Sequence, residues 1–285
     1  MSSRSSSSQL IDPSAVAGLS AGVVTTLIVH PLDLIKVRLQ VLSQTAYPSY
    51  SVIYRTATKN GFFKGLYRGV GLNITGNALS WALYFSTYDR LKTISADRDP
   101  TGRYFLSSGL AGLLVSFITS PIWVLKTRVL ATMPGATGYA SIAQTAANLY
   151  NTEGITGFWR GYLTSIFGVA QAALQFTVYE HIRAYRTASK TDNLSTLDIL
   201  TMSALAKIIS SSIAYPYQVV RARVQYETSH PSSPQGRYAR TISNVYRESG
   251  IRGFYRGIGP NILRVLPATC ITFAVYENTI SYLTT

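Results

Sequence analysis

The sequence predicts an all-α membrane protein with six membrane-spanning helices arranged in three repeats. Three observations support this prediction: charged residues are scarce, six stretches of bilayer length have almost none, and one motif returns three times at intervals of 90 and 95 residues. Charged residues make up 13% of the 285 residues, with 26 basic against 12 acidic. This basic surplus indicates an anionic partner, which can be nucleic acid, an acidic lipid surface or a small anion.

Six segments of 19 to 22 residues are almost free of charge, and a helix of this length crosses a bilayer. Lys207 interrupts the fifth segment and Arg264 the sixth. Each segment contains Gly, Ser, Thr or Asn, which suits helices that line a watery cavity on one side. The segments are 13–32, 69–88, 104–125, 161–179, 199–220 and 257–276.

The connections between these segments predict the orientation of the chain. The basic surplus is large in three connections, which together hold 16 basic and 3 acidic residues: 36–68, 126–160 and 221–256. The other two, 89–103 and 180–198, together hold 7 basic and 6 acidic residues. Basic residues accumulate on the side of a membrane that is not crossed during insertion. The basic surplus therefore lies on one side, and both termini lie on the other.

Several other classes of protein are disfavoured by the composition. The single cysteine, Cys270, excludes an internal disulfide framework and a Cys-based zinc site. No phosphate-binding glycine loop or metal-ligand pattern occurs, so we expect no catalytic residue, no metal and no cofactor. A soluble nucleic-acid-binding helical protein is the remote alternative, but its charges would cluster inside its helices. The serine-rich residues 1–9 are expected to form a disordered tail.

The repeated motif begins with a proline at the end of each odd-numbered segment. The three copies run Pro31-Leu-Asp33-Leu-Ile-Lys36, Pro121-Ile-Trp123-Val-Leu-Lys126 and Pro216-Tyr-Gln218-Val-Val-Arg221. An aromatic-basic-glycine element follows in each repeat and ends at Gly69, Gly161 and Gly257. The even segments close on Tyr88-Asp89, Tyr179-Glu180 and Tyr276-Glu277. The sequence stays compatible with a helix for two turns after each proline, which predicts kinked helices rather than helix ends.

This threefold pattern resembles the signature of the mitochondrial carrier family (solute carrier family 25 type), from Ile11 to the C-terminus. The resemblance implies six tilted transmembrane helices with pseudo-threefold symmetry, a short matrix helix in each repeat, and alternating access to a central site. It also implies a monomer in the mitochondrial inner membrane, with both termini facing the intermembrane space and cardiolipin at the helix starts near Gly69, Gly161 and Gly257. The repeats would then be residues 10–97, 98–193 and 194–285.

In carriers of this kind, the acidic residue of one odd helix pairs with the basic residue of the next to close a matrix gate. Here only Asp33 is acidic, so the gate is expected to be weaker than one with three ion pairs. The expected contacts are Asp33 with Lys126, Gln218 with Lys36, and Trp123 with Arg221, braced by Gln40 and Gln225.

The resemblance places a second, cytoplasmic gate at the ends of the even segments. The third copy of this motif departs from the family pattern, because Ile280 stands where a cation is expected. This gate should therefore make at most two ion pairs. Its residues are Asp89, Lys92, Glu180, Arg183 and Glu277.

Lys207 and Arg264 are the expected substrate ligands, since a cation at mid-membrane needs water or a partner. For Lys207, a structural pair with a neighbouring polar group is the alternative. Arginine offers two parallel donors to a phosphate or carboxylate, and Arg264 matches a family contact point. The other expected substrate-binding residues are Asn77, Trp123, Gly168 and Val169.

Within the family, the sequence is most similar to the branch that carries flavins, folates and nucleotides, and in particular to FAD and folate carriers. FAD or folate would be the transported substrate rather than a cofactor. NAD and pyrimidine nucleotides are the alternatives on the same fold. Two interpretations of Trp123 are open: it can stack on a flavin or pteridine ring, or it can plug the gate.

Overall fold

The computed structural model describes residues 13–42, 50–59, 61–94, 100–133, 141–189, 195–227 and 234–284. The predicted disordered tail, residues 1–9, lies outside the described residues. Within them the regular structure is helical, with short 3-10 turns at Ile155–Trp159, Tyr162–Thr164 and Gly250–Tyr255. The α-helices are α1 (Pro13–Val41), α2 (Tyr50–Thr58), α3 (Phe62–Leu66), α4 (Val70–Ile94), α5 (Pro100–Ala131), α6 (Ile142–Glu153), α7 (Ser165–Ser189), α8 (Thr196–Ile213), α9 (Tyr215–Tyr226), α10 (Pro234–Ser249) and α11 (Ile258–Thr284).

Six long helical segments cover the six predicted spans: α1, α4, α5, α7, α8 together with α9, and α11. Within the described residues, four stretches are both long and apolar enough to cross a membrane: Val16–Val41, Leu106–Ala131, Thr196–Ile213 and Gly236–Leu283. The helices α4 and α7 are 25 residues long, which suffices for a bilayer, but they are more polar. Polar residues on these helices suit a position around a watery interior.

The spans form a closed ring in which each packs against its neighbours in chain order. Helix α1 packs on α4, α4 on α5, α5 on α7, α7 on α8, and α8 on α11, and α11 returns to α1. A short helix leads from each odd span to the following even span, namely α2, α6 and α10. In the first repeat the five-residue α3 follows α2. The predicted architecture of three helical repeats, each with a short connecting helix, is confirmed.

The odd spans continue beyond their prolines, as the sequence predicts. Pro31 lies inside α1, which runs on to Val41, and Pro121 lies inside α5, which runs on to Ala131. In the third repeat the span is divided, because α8 ends at Ile213 and α9 begins at Tyr215. Only the third odd span of the described chain therefore consists of two separate helices.

The odd spans converge at their C-terminal ends, where three buried arginines tie them together. The Arg38 Nε donates to the Leu130 carbonyl oxygen at 2.9 Å, the Arg128 Nε to that of Gln225 at 2.9 Å, and the Arg223 Nε to that of Gln40 at 3.0 Å. Cations are favourable beside the carbonyl groups that end a helix. This cyclic set of bonds, from the first repeat to the second, third and first again, defines the closed end of the ring.

Two of these arginines also hold the connecting helices. Arg128 forms an ion pair with Glu153 at 2.7 Å, and Arg160 meets the other oxygen of Glu153 at 2.6 Å. Arg223 pairs with Glu248 at 2.8 Å. The Glu153 side chain is 5% exposed and that of Glu248 is 35% exposed, so the first cluster is buried and the second lies near the surface.

Each even span starts close to the odd span of the next repeat. Gly161 and Gly257 have φ angles of 79° and 88°, in the left-handed region that favours glycine. A Cβ on Gly257 would lie 3.1 Å from the Lys36 carbonyl oxygen, and one on Gly161 would lie 3.6 Å from that of Arg221. The two junctions are therefore equivalent, and each brings an even helix against a basic residue of the closed end.

Candidate functional site

The centre of the closed end is an ion pair between Asp33 on α1 and Arg264 on α11. Asp33 is buried, and its Oδ2 also accepts from the Asn73 Nδ2 at 3.2 Å. The Lys126 Nζ donates to the Asn73 Oδ1 at 2.7 Å. The expected direct pair of Asp33 with Lys126 is therefore wrong for this conformation, because the Asn73 amide bridges the two and Arg264 takes the carboxylate.

Lys36 lies beside this ion pair and bonds to two amides. Its Nζ donates to the Gln218 Oε1 at 3.1 Å, as predicted, and to the Asn261 Oδ1 at 2.8 Å. It also lies 5.8 Å from the centre of the Tyr215 ring, whose hydroxyl accepts from the Gln40 Nε2 at 3.1 Å. Gln40 thus braces Lys36 indirectly, through the tyrosine.

Gln171 on α7 extends the network to the remaining even helix. Its Oε1 accepts from the Gln218 Nε2 at 3.1 Å and from the Tyr217 hydroxyl at 2.8 Å. Gln225 accepts from the Thr127 hydroxyl at 2.8 Å and so joins α9 to α5. Polar contacts at the closed end therefore involve all six spans.

Trp123 lies in the wall between α4 and α5. The Lys126 ammonium is 4.9 Å from its ring centre, a cation–π contact within one helix, and Nε1 donates to the Thr119 hydroxyl at 3.2 Å. A Cβ on Gly76 would lie 3.5 Å from the indole. The expected contact with Arg221 is wrong here, since Lys126 of the same helix takes that place. This position supports the plug interpretation, because stacking on a substrate would require the indole to leave it.

Lys207 on α8 is exposed, and its ammonium makes no hydrogen bond or ion pair with any residue that the structure describes. Its charge nevertheless lies close enough to those of Arg264 and Asp33 to interact with them. The alternative of a structural pair therefore finds no support within the described chain. The ammonium is available to a ligand.

The other expected substrate ligands lie around the same space, with one exception. The Asn77 Nδ2 approaches the Asn73 Oδ1 at 3.5 Å, and a Cβ on Gly168 would lie 3.7 Å from the Tyr217 hydroxyl. Val169 instead faces α5, where a Cβ on Gly112 would lie 3.6 Å from its Cγ2. Asn77 and Gly168 thus border the central network, while Val169 packs between helices.

The central network carries a large positive surplus. Within the described residues, the Asp33 carboxylate interacts with four cations, and a fifth cation, Arg221, interacts with one of these, Lys126. Inside a membrane protein such charges are poorly screened, so the cluster attracts an anion strongly. The cations are Lys36, Lys126, Lys207, Arg221 and Arg264.

At the opposite end of the ring, the described residues include an ion pair between repeats, that of Arg186 at the end of α7 with Asp198 at the start of α8, but none of the expected gate residues takes part in it. Arg183 and Glu180 form a 3.8 Å pair inside α7, with both side chains about half exposed. Asp89 and Glu277 are exposed and form no ion pair with a described residue. The structure thus shows one closed end, and the second gate, including Lys92, stays a prediction.

Sequence reasoning missed several network residues. Asn73 and Asn261 each lie four residues after the glycine of the aromatic-basic-glycine element, and this shared offset could have identified them. Gln171 has no chemically similar counterpart in the other repeats, and no pattern in the sequence pointed to it. Tyr215 lies directly before the motif proline, as His30 does, and its hydroxyl donates to the Arg256 carbonyl oxygen, as the His30 ring bonds to that of Arg68.

A ring of six spans in three repeats, closed at one end by a polar network with surplus cations, defines a membrane transporter for small anions. The sequence profile described as "Mitochondrial carrier protein" matches residues 13–99, 97–190 and 192–285. The chain belongs to the mitochondrial carrier family. Members of this family are transporters rather than enzymes, and they carry substrates without using them as cofactors.

Similar proteins match along nearly the whole chain. The mitochondrial FAD carrier protein of Saccharomyces cerevisiae is 35% identical over 92% of this chain and 94% of its own length. The mitochondrial nicotinamide adenine dinucleotide transporter 2 of Arabidopsis thaliana is 35% identical over 92% of this chain and 77% of its own. The chloroplastic folate transporter 1 of Arabidopsis thaliana is 32% identical over 94% of both chains.

Proposed function

We propose that this protein transports FAD, or a related flavin or folate, across the mitochondrial inner membrane by alternating access. The observation that carries the proposal is the central cluster of five cations, four of which interact with the carboxylate of Asp33. FAD has a diphosphate and folate has two carboxylates, so both offer the charge that this cluster lacks. The named relatives for FAD and folate, aligned over almost the full chain, support the same choice.

Arg264 and Lys207 hold the anionic group of the substrate. Arg264 can turn two N–H groups toward a phosphate or carboxylate, and the Lys207 ammonium is not engaged by a described residue. Asn77 and Gly168 border the room left for the ring system. Trp123 and Val169, also expected as ligands, serve in this conformation as parts of the wall.

Substrate binding weakens the closed end because Arg264 serves both the substrate and Asp33. An anion on Arg264 competes with the carboxylate, which then loses its strongest partner. The odd spans can separate, and the ring opens at this end. At the other end, the gate of Asp89, Lys92, Glu180, Arg183 and Glu277 closes.

The protein works as a monomer with both termini in the intermembrane space, so that the basic connections face the matrix. Cardiolipin binds at the starts of the even spans, near Gly69, Gly161 and Gly257. Backbone N–H groups at a helix start favour a phosphate, and the positive φ at these glycines turns the chain into the helix there.

NAD is the second candidate, because two of the similar proteins are named nicotinamide adenine dinucleotide transporters of mitochondria. NAD has the same diphosphate as FAD, but its nicotinamide ring is smaller than the flavin ring system. Pyrimidine nucleotides are the third. The cation cluster can bind the anionic groups of all three candidates, so the contacts with their ring systems determine which one is transported.

Uptake into proteoliposomes tests the proposal. We expect the purified protein to take up FAD or folate faster than NAD or a pyrimidine nucleotide, and the transported compound to raise its thermal stability in detergent. The Arg264→Lys variant keeps the charge but loses the two parallel N–H donors of the guanidinium. Its uptake should therefore be lower than that of the wild type. Uptake of NAD alone would replace FAD by the second candidate. Absence of uptake and of stabilisation with all four compounds would overturn the proposal.

A further inference from the structure

The even spans carry a second set of gate positions, four residues after Gly69, Gly161 and Gly257: Asn73, Ser165 and Asn261. All three are buried, with 3% exposure each. They lie at equivalent places in the three repeats, at the start of α4, α7 and α11. Their contacts can therefore be compared directly.

Two of these positions bond to the basic gate residue of the following repeat. Asn73 in the first repeat accepts from the Lys126 Nζ of the second at 2.7 Å, and Asn261 in the third accepts from the Lys36 Nζ of the first at 2.8 Å. The same rule assigns Ser165 in the second repeat to Arg221 of the third. Within the described residues, no hydrogen bond joins Ser165 to Arg221.

Both halves of the missing contact are without a hydrogen bond. The Ser165 Oγ is buried and has no partner, and Arg221 makes no hydrogen bond or ion pair with a described residue. The junction itself is built as in the third repeat, since the Gly161 backbone approaches the Arg221 carbonyl as Gly257 approaches that of Lys36. The serine hydroxyl sits on Cβ, one bond closer to the backbone than the asparagine amide oxygen, so it is too short to serve a cation.

We propose that Asn73, Ser165 and Asn261 form a ring of positioning residues that sets the strength of the closed end, and that Ser165 leaves this ring open next to Arg221. The ring compensates in part for the acidic residues missing at Trp123 and Gln218. Because the serine copy makes no bond, the junction between the second and third repeats is the weakest of the three. The closed end should therefore release there first, whatever the substrate.

The test replaces Ser165 by residues whose side chains are long enough to bond to Arg221. In substrate-free, detergent-purified protein, Ser165→Asn and Ser165→Asp should raise the apparent Tm by about 2–4 °C, because the bonded cation stabilises the closed end. In proteoliposomes the same variants should lower the Vmax of FAD uptake about ten-fold, since each cycle must break an additional bond to a charged group. A purely structural role would not make the protein more stable and slower together.

Two controls make the outcome decisive. Ser165→Ala removes a hydroxyl that has no partner and should match the wild type, and Arg221→Gln should cancel the gain of Ser165→Asp in a double-mutant cycle. The proposal is overturned if Ser165→Asn and Ser165→Asp behave like Ser165→Ala, or if their gain survives Arg221→Gln. If both fail to fold, Asn73→Ser and Asn261→Ser decide: a lower Tm supports the ring, and an unchanged Tm overturns it. The double-mutant cycle measures Tm without substrate, so its result tests the proposal even if the wild type does not transport FAD.

Discussion

Arg264 on α11 forms an ion pair with Asp33 on α1, so one guanidinium belongs both to the proposed substrate site and to the closed end. Within the described residues, Asp33 is the carboxylate that interacts with four of the five cations of the central cluster. Any anion that competes for Arg264 therefore acts directly on the counter-charge that holds the odd spans together.

Asp33→Asn should destabilise the substrate-free protein. It removes the ion pair with Arg264 and leaves the cation cluster without a counter-charge, at a cost of about 1–3 kcal/mol when the partial exposure of Arg264 is considered. Thermal unfolding in detergent measures this. The Asp33→Glu variant keeps the charge and is the control, and its loss of stability should be smaller. An unchanged Tm for Asp33→Asn would show that the pair does not hold the closed end.

Lys207→Ala should weaken substrate binding without lowering stability. The ammonium makes no bond to a described residue, so the fold loses nothing, whereas an anion loses a charged partner worth about 1.5–3 kcal/mol. The KM for uptake should rise by roughly ten-fold or more. Ser203→Ala, one helical turn away on α8, provides the matched control. A variant with normal uptake and a lower Tm would instead give Lys207 a structural role.

Gly76→Ala should disturb the wall between α4 and α5. Its Cβ would lie 3.1 Å from the Ile122 Cγ2, so the isoleucine must shift, and 3.5 Å from the Trp123 indole, which is an ordinary contact. We expect a loss of about 1–3 kcal/mol in stability from overpacking. Gly71→Ala on the same helix meets nothing within 4 Å and is the control. Equal Tm values for the two variants would refute the close packing of Ile122 against Gly76.

Glu153→Gln should cost more stability than Glu248→Gln. Glu153 is buried between Arg128 and Arg160, so its neutralisation removes the carboxylate that these two buried cations share, at a cost of about 3–5 kcal/mol. Glu248 is 35% exposed, and solvent screens its pair with Arg223. Parallel thermal unfolding of the two variants measures the difference. The reverse order would mean that burial does not govern these pairs.

The sequence was sufficient for the fold because length, charge and repetition are properties of the chain itself. Charge-free segments of bilayer length located all six spans, and the proline motif located the ends where the odd spans converge. The contact of Lys36 with Gln218 could also be predicted, since both positions belong to the repeated motif. Reasoning from pseudo-symmetry works where the repeats carry equivalent residues.

Partner choice inside the network could not be predicted in the same way. Asp33 had several cations within reach, and only packing decides that Arg264 takes the carboxylate while Asn73 mediates the contact with Lys126. Trp123 met Lys126 rather than Arg221 for the same reason. These choices depend on side-chain geometry between helices that are distant in sequence.

The backbone at Ala214 distinguishes the third odd span from the other two. Helices α1 and α5 run through their prolines without a break. Between α8 and α9, Ala214 departs from helical geometry, although its backbone N–H still donates to the Ser210 carbonyl oxygen. The three arms of the carrier therefore share one motif but differ in backbone shape, and the arm with Lys207 and Gln218 is the odd one among them.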